Sequence, residues 1–195
     1  SKSKGNVVSP IDLTDKYGAD ALRIALVIGN TPGSDLSLSE EKIKGYKHFC
    51  NKIWNAARFV LSNIGDTTLD TARPTPTLRD EEILKELNLV VLSVTTHFDN
   101  FRFHLAGEEL YHYFWNIFAD IIIEEMKPRL AEGGDTKLLA QWMLLHILAV
   151  NLKMLHPFIP FVTEEIWGMM PSTGVATDGD PKSSKDPLII ESWPK

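Results

Sequence analysis

Hydrophobic residues recur every three or four positions through the segment that begins near Ser37 and ends at Asn63. This is the period of an α-helix with one apolar face, and the pattern is too long for a strand. Its apolar positions are Ile43, Tyr46, Phe49, Cys50, Ile53, Trp54, Ala57, Val60, Leu61 and Ile64. Ser37 lies three residues before Glu40, the spacing of a capping box at a helix start. A helix of this kind needs neighbours to cover its apolar face, so the pattern predicts a helical bundle.

The remaining sequence predicts more helices. The same periodicity indicates helices over residues 19–29, 79–98, 102–126 and 135–155 and one that begins at residue 161. We expect Asp20 to cap the helix over 19–29. The helix over 102–126 should end before Lys127-Pro128. The helix over 135–155 is apolar on most sides, so we expect it to lie at the bundle centre. Residues 188–193, LIIESW, suggest a short terminal strand.

The predicted fold class is therefore all-α. We expect an antiparallel helix bundle over residues 37–195, behind a small α/β-like connector at residues 1–36. A helical bundle can serve many functions, so the function has to be argued from particular residues.

Composition narrows the classes of function. The chain has 195 residues, a formal charge of -6 and 44% hydrophobic residues, which argues against a broad basic surface. No apolar run approaches the length of a membrane span, so we expect no membrane partner. The single cysteine, Cys50, excludes an internal disulfide and favours the reducing cytoplasm. Cys50 lies in the apolar pattern, which predicts an inert buried thiol. The spacings of the histidines do not suit zinc, so we expect no metal site.

Positive charge is concentrated on the long predicted helix. Its cations are Lys42, Lys44, Lys47, Lys52 and Arg58, whereas its only acids, Glu40 and Glu41, occupy the first turn, where the helix dipole favours them. Asn51, Asn55 and Arg58 follow at steps of four and three residues and so share one face. Amides and a guanidinium suit the base edges and phosphates of unpaired RNA.

Charge runs are more often solvated surface than binding sites, however, and the two asparagines can equally satisfy neighbouring helices. On these residues alone, a structural or protein-interaction bundle remains the alternative, and it is the one that the pattern favours.

Three separated motifs resemble one family. "SKSKGNVVSP" resembles the end of the K-M-S-K-S signature of class I aminoacyl-tRNA synthetases, without its first Lys-Met, and "HPFIPFVTEEIW" resembles their HPF-x-P-F-x-TEE-x-W segment. The long helix resembles the N-K-x-W-N-A-x-R-F helix of the valyl branch. The residues that match this helix are Asn51, Lys52, Trp54, Asn55, Ala56, Arg58 and Phe59. "DIIIEEMK", residues 120–127, departs from the family because it lacks an aromatic pair after the aspartate.

The resemblance implies a function. By analogy with these enzymes, Lys2 would stabilise the negative charge on the ATP phosphates. Ser1 and Ser3 would hold the loop in position. The ATP would be bound together with magnesium. The bundle would bind the anticodon stem-loop of a valine tRNA and adjoin the catalytic domain of the same enzyme, which we expect to be a monomer. The expected RNA contacts are Lys47, Asn51, Asn55 and Arg58, with Lys44 and Lys52 as weaker choices. An isoleucyl-type synthetase is the alternative within the family.

By this resemblance the chain runs from the last catalytic loop through the anticodon-binding domain, and it lacks the nucleotide-binding fold and the editing domain. We therefore expect the chain alone to be inactive in activating valine. An ATP–pyrophosphate exchange assay checks this expectation, and valine-dependent exchange above background would contradict it.

Overall fold

The computed structural model describes residues 9–29, 38–65, 67, 74–171 and 186–194, and over these residues the fold is all-α, as predicted. The helices are α1 (Pro10–Tyr17), α2 (Ala19–Val27), α3 (Glu40–Asn63), α4 (Leu78–Asp99), α5 (Phe103–His112), a π-helical segment (Tyr113–Ile122), α6 (Ile123–Glu132), α7 (Gly134–Leu155) and α8 (Pro160–Met169).

Helix α7 is the centre of the bundle. It packs against α3, α4, α5, α6 and α8, and Leu144, Leu145 and Leu148 are fully buried. By length and a mean hydropathy of 1.5 this helix could cross a membrane, but 78% of the apolar window is buried inside the bundle. Core helices have the same composition, and burial of each leucine side chain stabilises the fold by about 1.5–3 kcal/mol. The prediction of a central helix is confirmed.

Helix α3 shows the two faces that its sequence predicts. Ile43, Phe49, Ile53 and Val60 are fully buried on one side. The helix begins at Glu40 because the Ser39 hydroxyl accepts a hydrogen bond from the Lys42 backbone N–H at 3.2 Å. The predicted cap, Ser37, lies outside the described residues, and the observed cap is two residues later.

The helix predicted to end before Lys127-Pro128 continues to Glu132, so that prediction is wrong. Pro128 lies inside α6 and is exposed, where its missing N–H deprives the helix of one internal hydrogen bond. Residues on either side of it compensate for that loss: Met126 is fully buried against the core, and Arg129 binds Asp80 of α4. Tertiary contacts outweigh the local preference here.

The C-terminal segment also differs from prediction. Residues Leu188–Ile190 form a single 3-10 turn instead of the predicted strand. The described residues contain no strand with which it could pair. The Leu188 N–H instead donates to the Glu164 carboxylate at 3.1 Å, and the Leu188 side chain is buried.

The described part of the connector, residues 9–29, forms the two helices α1 and α2, with no α/β character. These helices pack on the first turns of α3 through a small core of Leu13, Leu22, Ala25 and Ile43. The predicted boundary after residue 36 falls outside the described residues.

A buried ion pair ties α4 to α6. The two guanidinium nitrogens of Arg129 donate to the Asp80 carboxylate at 2.6 and 3.1 Å, and Asp80 is fully buried. Asp80 also completes a capping box with Thr77 at the start of α4. Burial alone would raise the pKa of Asp80, but the hydrogen bonds from Arg129 and Thr77 outweigh it, so the pKa lies below its usual value.

Replacement of Asp80 by asparagine should lower the free energy of unfolding by roughly 3 kcal/mol, because the Arg129 charge then stays buried without its partner. The stabilisation that ionised Asp80 provides is fully present above its unfolded-state pKa. It is lost as the pH falls through its lowered folded-state pKa, so the variant should also lose part of the acid-side pH dependence. Urea unfolding over an acidic pH series measures both effects.

The exposed neighbour Glu81 provides the control, and Glu81→Gln should unfold like the parent chain. Equal stability of Asp80→Asn and the parent chain at neutral pH would contradict this account of the ion pair.

Candidate nucleic-acid interface

The solvent face of α3 carries a row of polar side chains, which we call the cationic stripe: Lys44, Lys47, Asn51, Asn55 and Arg58. These residues follow one another at three- or four-residue steps on the side opposite the buried face, and all five are exposed. Within the described part of the chain, Asn51, Asn55 and Arg58 form no hydrogen bond or ion pair. The two asparagines therefore do not satisfy neighbouring helices there, and their amides face solvent.

Lys47 is held at the end of the stripe where α1 and α3 meet. Its Nζ donates to the carbonyl oxygen of Lys16 at 3.1 Å and lies 6.0 Å from the centre of the Tyr17 ring. The carbonyls at a helix C-terminus carry partial negative charge, which favours an ammonium there. Lys16 itself pairs with Glu40 at 2.7 Å. The Lys47 ammonium thus has a fixed position while remaining open to solvent.

Lys52 differs from the stripe. Its Nζ pairs with Asp120 at 2.6 Å and lies 5.7 Å above the Trp115 ring, and the side chain is about one-third exposed. Trp115 in turn stacks on the buried Phe49, with ring centres 6.2 Å apart. Lys52 therefore links α3 to the π-helical segment, and its charge is already compensated.

Sequence reasoning missed the surroundings of two further α3 residues. His48 is exposed and four residues after Lys44, a spacing that would have placed it on the same face. Lys42 lines a cavity of about 270 Å³ between α2, α3 and α5, together with Tyr46, Tyr111 and Glu108. Burial lowers the pKa of Lys42 and raises the pKa of Tyr46 to about 12. No sequence signal indicated this cavity, because it depends on how α5 crosses α3.

Asp20 does not cap its own helix, contrary to prediction; Gly18 precedes α2 without a side-chain cap. The Asp20 carboxylate instead accepts hydrogen bonds from the N–H groups of Phe161 and Val162, at 3.2 and 2.7 Å, and so caps α8. One turn further along α2, the guanidinium of Arg23 donates to the carbonyls of Pro157 and Phe158, at 3.1 and 3.3 Å. We call this four-bond contact the corner clamp, because it fixes α2 to the corner between α7 and α8.

Ser1, Lys2 and Ser3 lie outside the described residues, so their role in binding ATP stays a prediction.

Cys50 is partly buried, and burial raises the pKa of its thiol to about 12. The thiolate needed for nucleophilic chemistry is therefore scarce at neutral pH.

Comparison with sequence families identifies the class. Residues 80–195 match the family described as the anticodon-binding domain of tRNA ligase, and residues 1–39 match the family described as tRNA synthetases class I (I, L, M and V). The chain belongs to the family of tRNA-ligase anticodon-binding domains.

Individual relatives are valine–tRNA ligases. The enzyme of Carboxydothermus hydrogenoformans is 42% identical over 199 residues, a match that covers 100% of this chain and 21% of that protein. The enzyme of Latilactobacillus sakei is 45% identical over 179 residues, which covers 89% of this chain and 20% of that protein. The chain thus spans about one-fifth of the length of the curated relatives that it matches.

Solved structures share the fold. The LeuRS–tRNA–LeuAMS ternary complex of Agrobacterium radiobacter K84 superposes with a TM-score of 0.73 at 20% identity, covering 100% of this chain and 22% of that one. The methionyl-tRNA synthetase of Mycobacterium tuberculosis gives 0.68 at 23% identity, covering 86% of this chain and 35% of that one.

The corner clamp makes a testable contribution to stability. Asp20→Ala removes the acceptor of two N–H groups at the start of α8 and should lower the free energy of unfolding by about 1–2 kcal/mol. Thermal unfolding measures the loss, and faster amide hydrogen exchange at Phe161 and Val162 would locate it. The exposed Asp15 supplies the control, since Asp15→Ala should leave both measurements unchanged. Unaltered exchange at α8 in Asp20→Ala would rule out the capping role.

Proposed function

We propose that this chain is the tRNA-binding part of a valine–tRNA ligase and that the cationic stripe contacts the anticodon stem-loop. The observation that carries the proposal is the row formed by Asn51, Asn55 and Arg58, which is exposed and without partners in the described part of the chain. Membership of the anticodon-binding family and the identity to valine–tRNA ligases support it.

The chemistry of the stripe divides its residues into two groups. Lys44 and Lys47 provide ammonium groups for phosphate oxygens, which gives affinity but no sequence discrimination. Asn51, Asn55 and Arg58 provide amide and guanidinium groups that form paired hydrogen bonds with the edges of unpaired bases. Because the chain as a whole carries a charge of -6, RNA is attracted to this stripe rather than to the protein surface in general. Lys52, already paired with Asp120, contributes least.

The activity of the longer protein is part of the same proposal. Its relatives support an enzyme that attaches valine to its tRNA. We propose that this enzyme uses ATP with magnesium and acts as a monomer in the cytoplasm. Lys2 would stabilise negative charge as it develops on the ATP phosphates, and Ser1 and Ser3 would position the loop. The catalytic domain of the same protein is then the second partner of this chain.

Arg58→Ala should weaken binding of a valine anticodon stem-loop by about 1–3 kcal/mol, because it removes a base contact. Lys47→Ala should weaken binding more evenly across RNA sequences and reduce the salt dependence by about one counterion. Fluorescence anisotropy with a labelled hairpin, repeated over a series of salt concentrations, measures both quantities.

The control is Lys85→Ala, which removes an exposed cation from α4 and should bind like the parent chain. An isoleucine anticodon hairpin tests the specificity. Parental affinity of correctly folded Arg58→Ala and Lys47→Ala would exclude the stripe as the RNA site. Equal binding of valine and isoleucine hairpins would remove the valine assignment.

A further inference from the structure

The turn between α4 and α5 holds a phenylalanine in a conformation that normally belongs to glycine. Phe101 has φ 56°, the only positive φ of a non-glycine residue in the described ranges. The N–H of Phe101 donates to the Phe98 carbonyl at 3.0 Å, and that of Arg102 to the His97 carbonyl at 2.8 Å. These two bonds form a Schellman motif, whose left-handed position is usually glycine because a Cβ is strained there.

Packing does not compensate for this strain. Phe101 is 77% exposed, and its ring meets that of Phe103 edge to face at 6.1 Å. Phe103 is itself 42% exposed and lies 5.5 Å from Phe98, which packs against Trp193. The rings therefore form a row that leads from the core to solvent and ends at Phe101. The Schellman motif fixes the backbone that carries this outermost ring.

In sequence, an unpaired cation stands between the two exposed rings. Arg102 is exposed and forms no ion pair within the described part of the chain; the carboxylate nearest in sequence is that of Asp99. Exposed aromatic rings and an unpaired guanidinium on the same turn suit a ligand that is both planar and anionic. An unpaired nucleotide has both properties, since its base stacks on aromatic rings and its phosphate pairs with arginine.

This turn is connected to α3 through α5. That helix starts at Phe103 and ends at His112, next to Tyr111, whose ring lies 4.7 Å from that of Phe49 on α3. Ten residues of α-helix span about 15 Å, a distance that a strand of a few nucleotides can cover.

We propose that Phe101, Arg102 and Phe103 form a second RNA contact, in which an unpaired base stacks on Phe101 and the adjacent phosphate pairs with Arg102. The inference rests on the proposed function, because it takes the same RNA as the ligand. Phe101 is a binding residue here, retained at the expense of local backbone strain.

The test is the Phe101→Gly variant of the full 195-residue chain, with the valine anticodon hairpin as the probe. Glycine relieves the left-handed strain, so the melting temperature should rise by about 2–4 °C. Loss of one stacked base should nevertheless weaken hairpin binding by about 5- to 150-fold. The salt dependence should stay unchanged, because no phosphate contact is lost. Phe101→Trp, which keeps a stacking surface, should retain affinity.

Two controls separate the possible results. Leu92→Ala removes an exposed apolar side chain from α4 and should bind like the parent chain, and Arg58→Ala reports on the cationic stripe. If Arg58→Ala weakens binding and Phe101→Gly does not, the second contact is wrong and the proposed function stands. If Phe101→Gly and Leu92→Ala weaken binding equally, the effect is non-specific and the second contact is wrong. If the parent chain does not bind the hairpin, both proposals fail.

Discussion

The orientation of α3 between the bundle and solvent determines most of what this chain can bind. Four fully buried residues, Ile43, Phe49, Ile53 and Val60, fix that orientation, since turning the helix would expose them to water. Asn51, Asn55 and Arg58 lie on the opposite, solvent-exposed side because the apolar residues of the repeat occupy the core-facing positions. The core therefore sets the geometry of the interface without touching any ligand, and α2, α7 and the π-helical segment pack against α3 and stabilise this orientation.

Charges on one helix serve different purposes, and only their surroundings distinguish them. Lys52 and Arg58 are six residues apart and both are cationic, yet one pairs with Asp120 above the Trp115 ring and the other is free within the described part of the chain. The pairing of Lys52 fastens α3 to the π-helical segment. The free cations give α3 a positive face in a chain that is acidic overall. Lys42 differs from both, because its burial beside the cavity next to α5 disfavours the charged form and lowers its pKa.

The sequence predicted most of the helices and the exposed side of α3, because periodicity reports directly on which face is buried. It failed where a distant contact outweighs a local preference. Pro128 indicated a helix end, but Met126 and Arg129 hold the helix together beyond it. Asp20 has the local pattern of a cap, yet its carboxylate binds a helix that is about 140 residues away in sequence. The cavity at Lys42 and the strained Phe101 were equally out of reach, since one depends on a helix crossing and the other on a backbone angle.

The corner clamp also has a mechanical consequence. Asp20 binds N–H groups in the first turn of α8, and Arg23 binds the carbonyls of Pro157 and Phe158 in the turn after α7, so α2 holds both sides of a single bend. The two sides of this bend are therefore held in place by one helix, and Gly18 joins that helix to α1. Any movement of the α7–α8 bend must therefore break hydrogen bonds of the corner clamp or displace α2 with it.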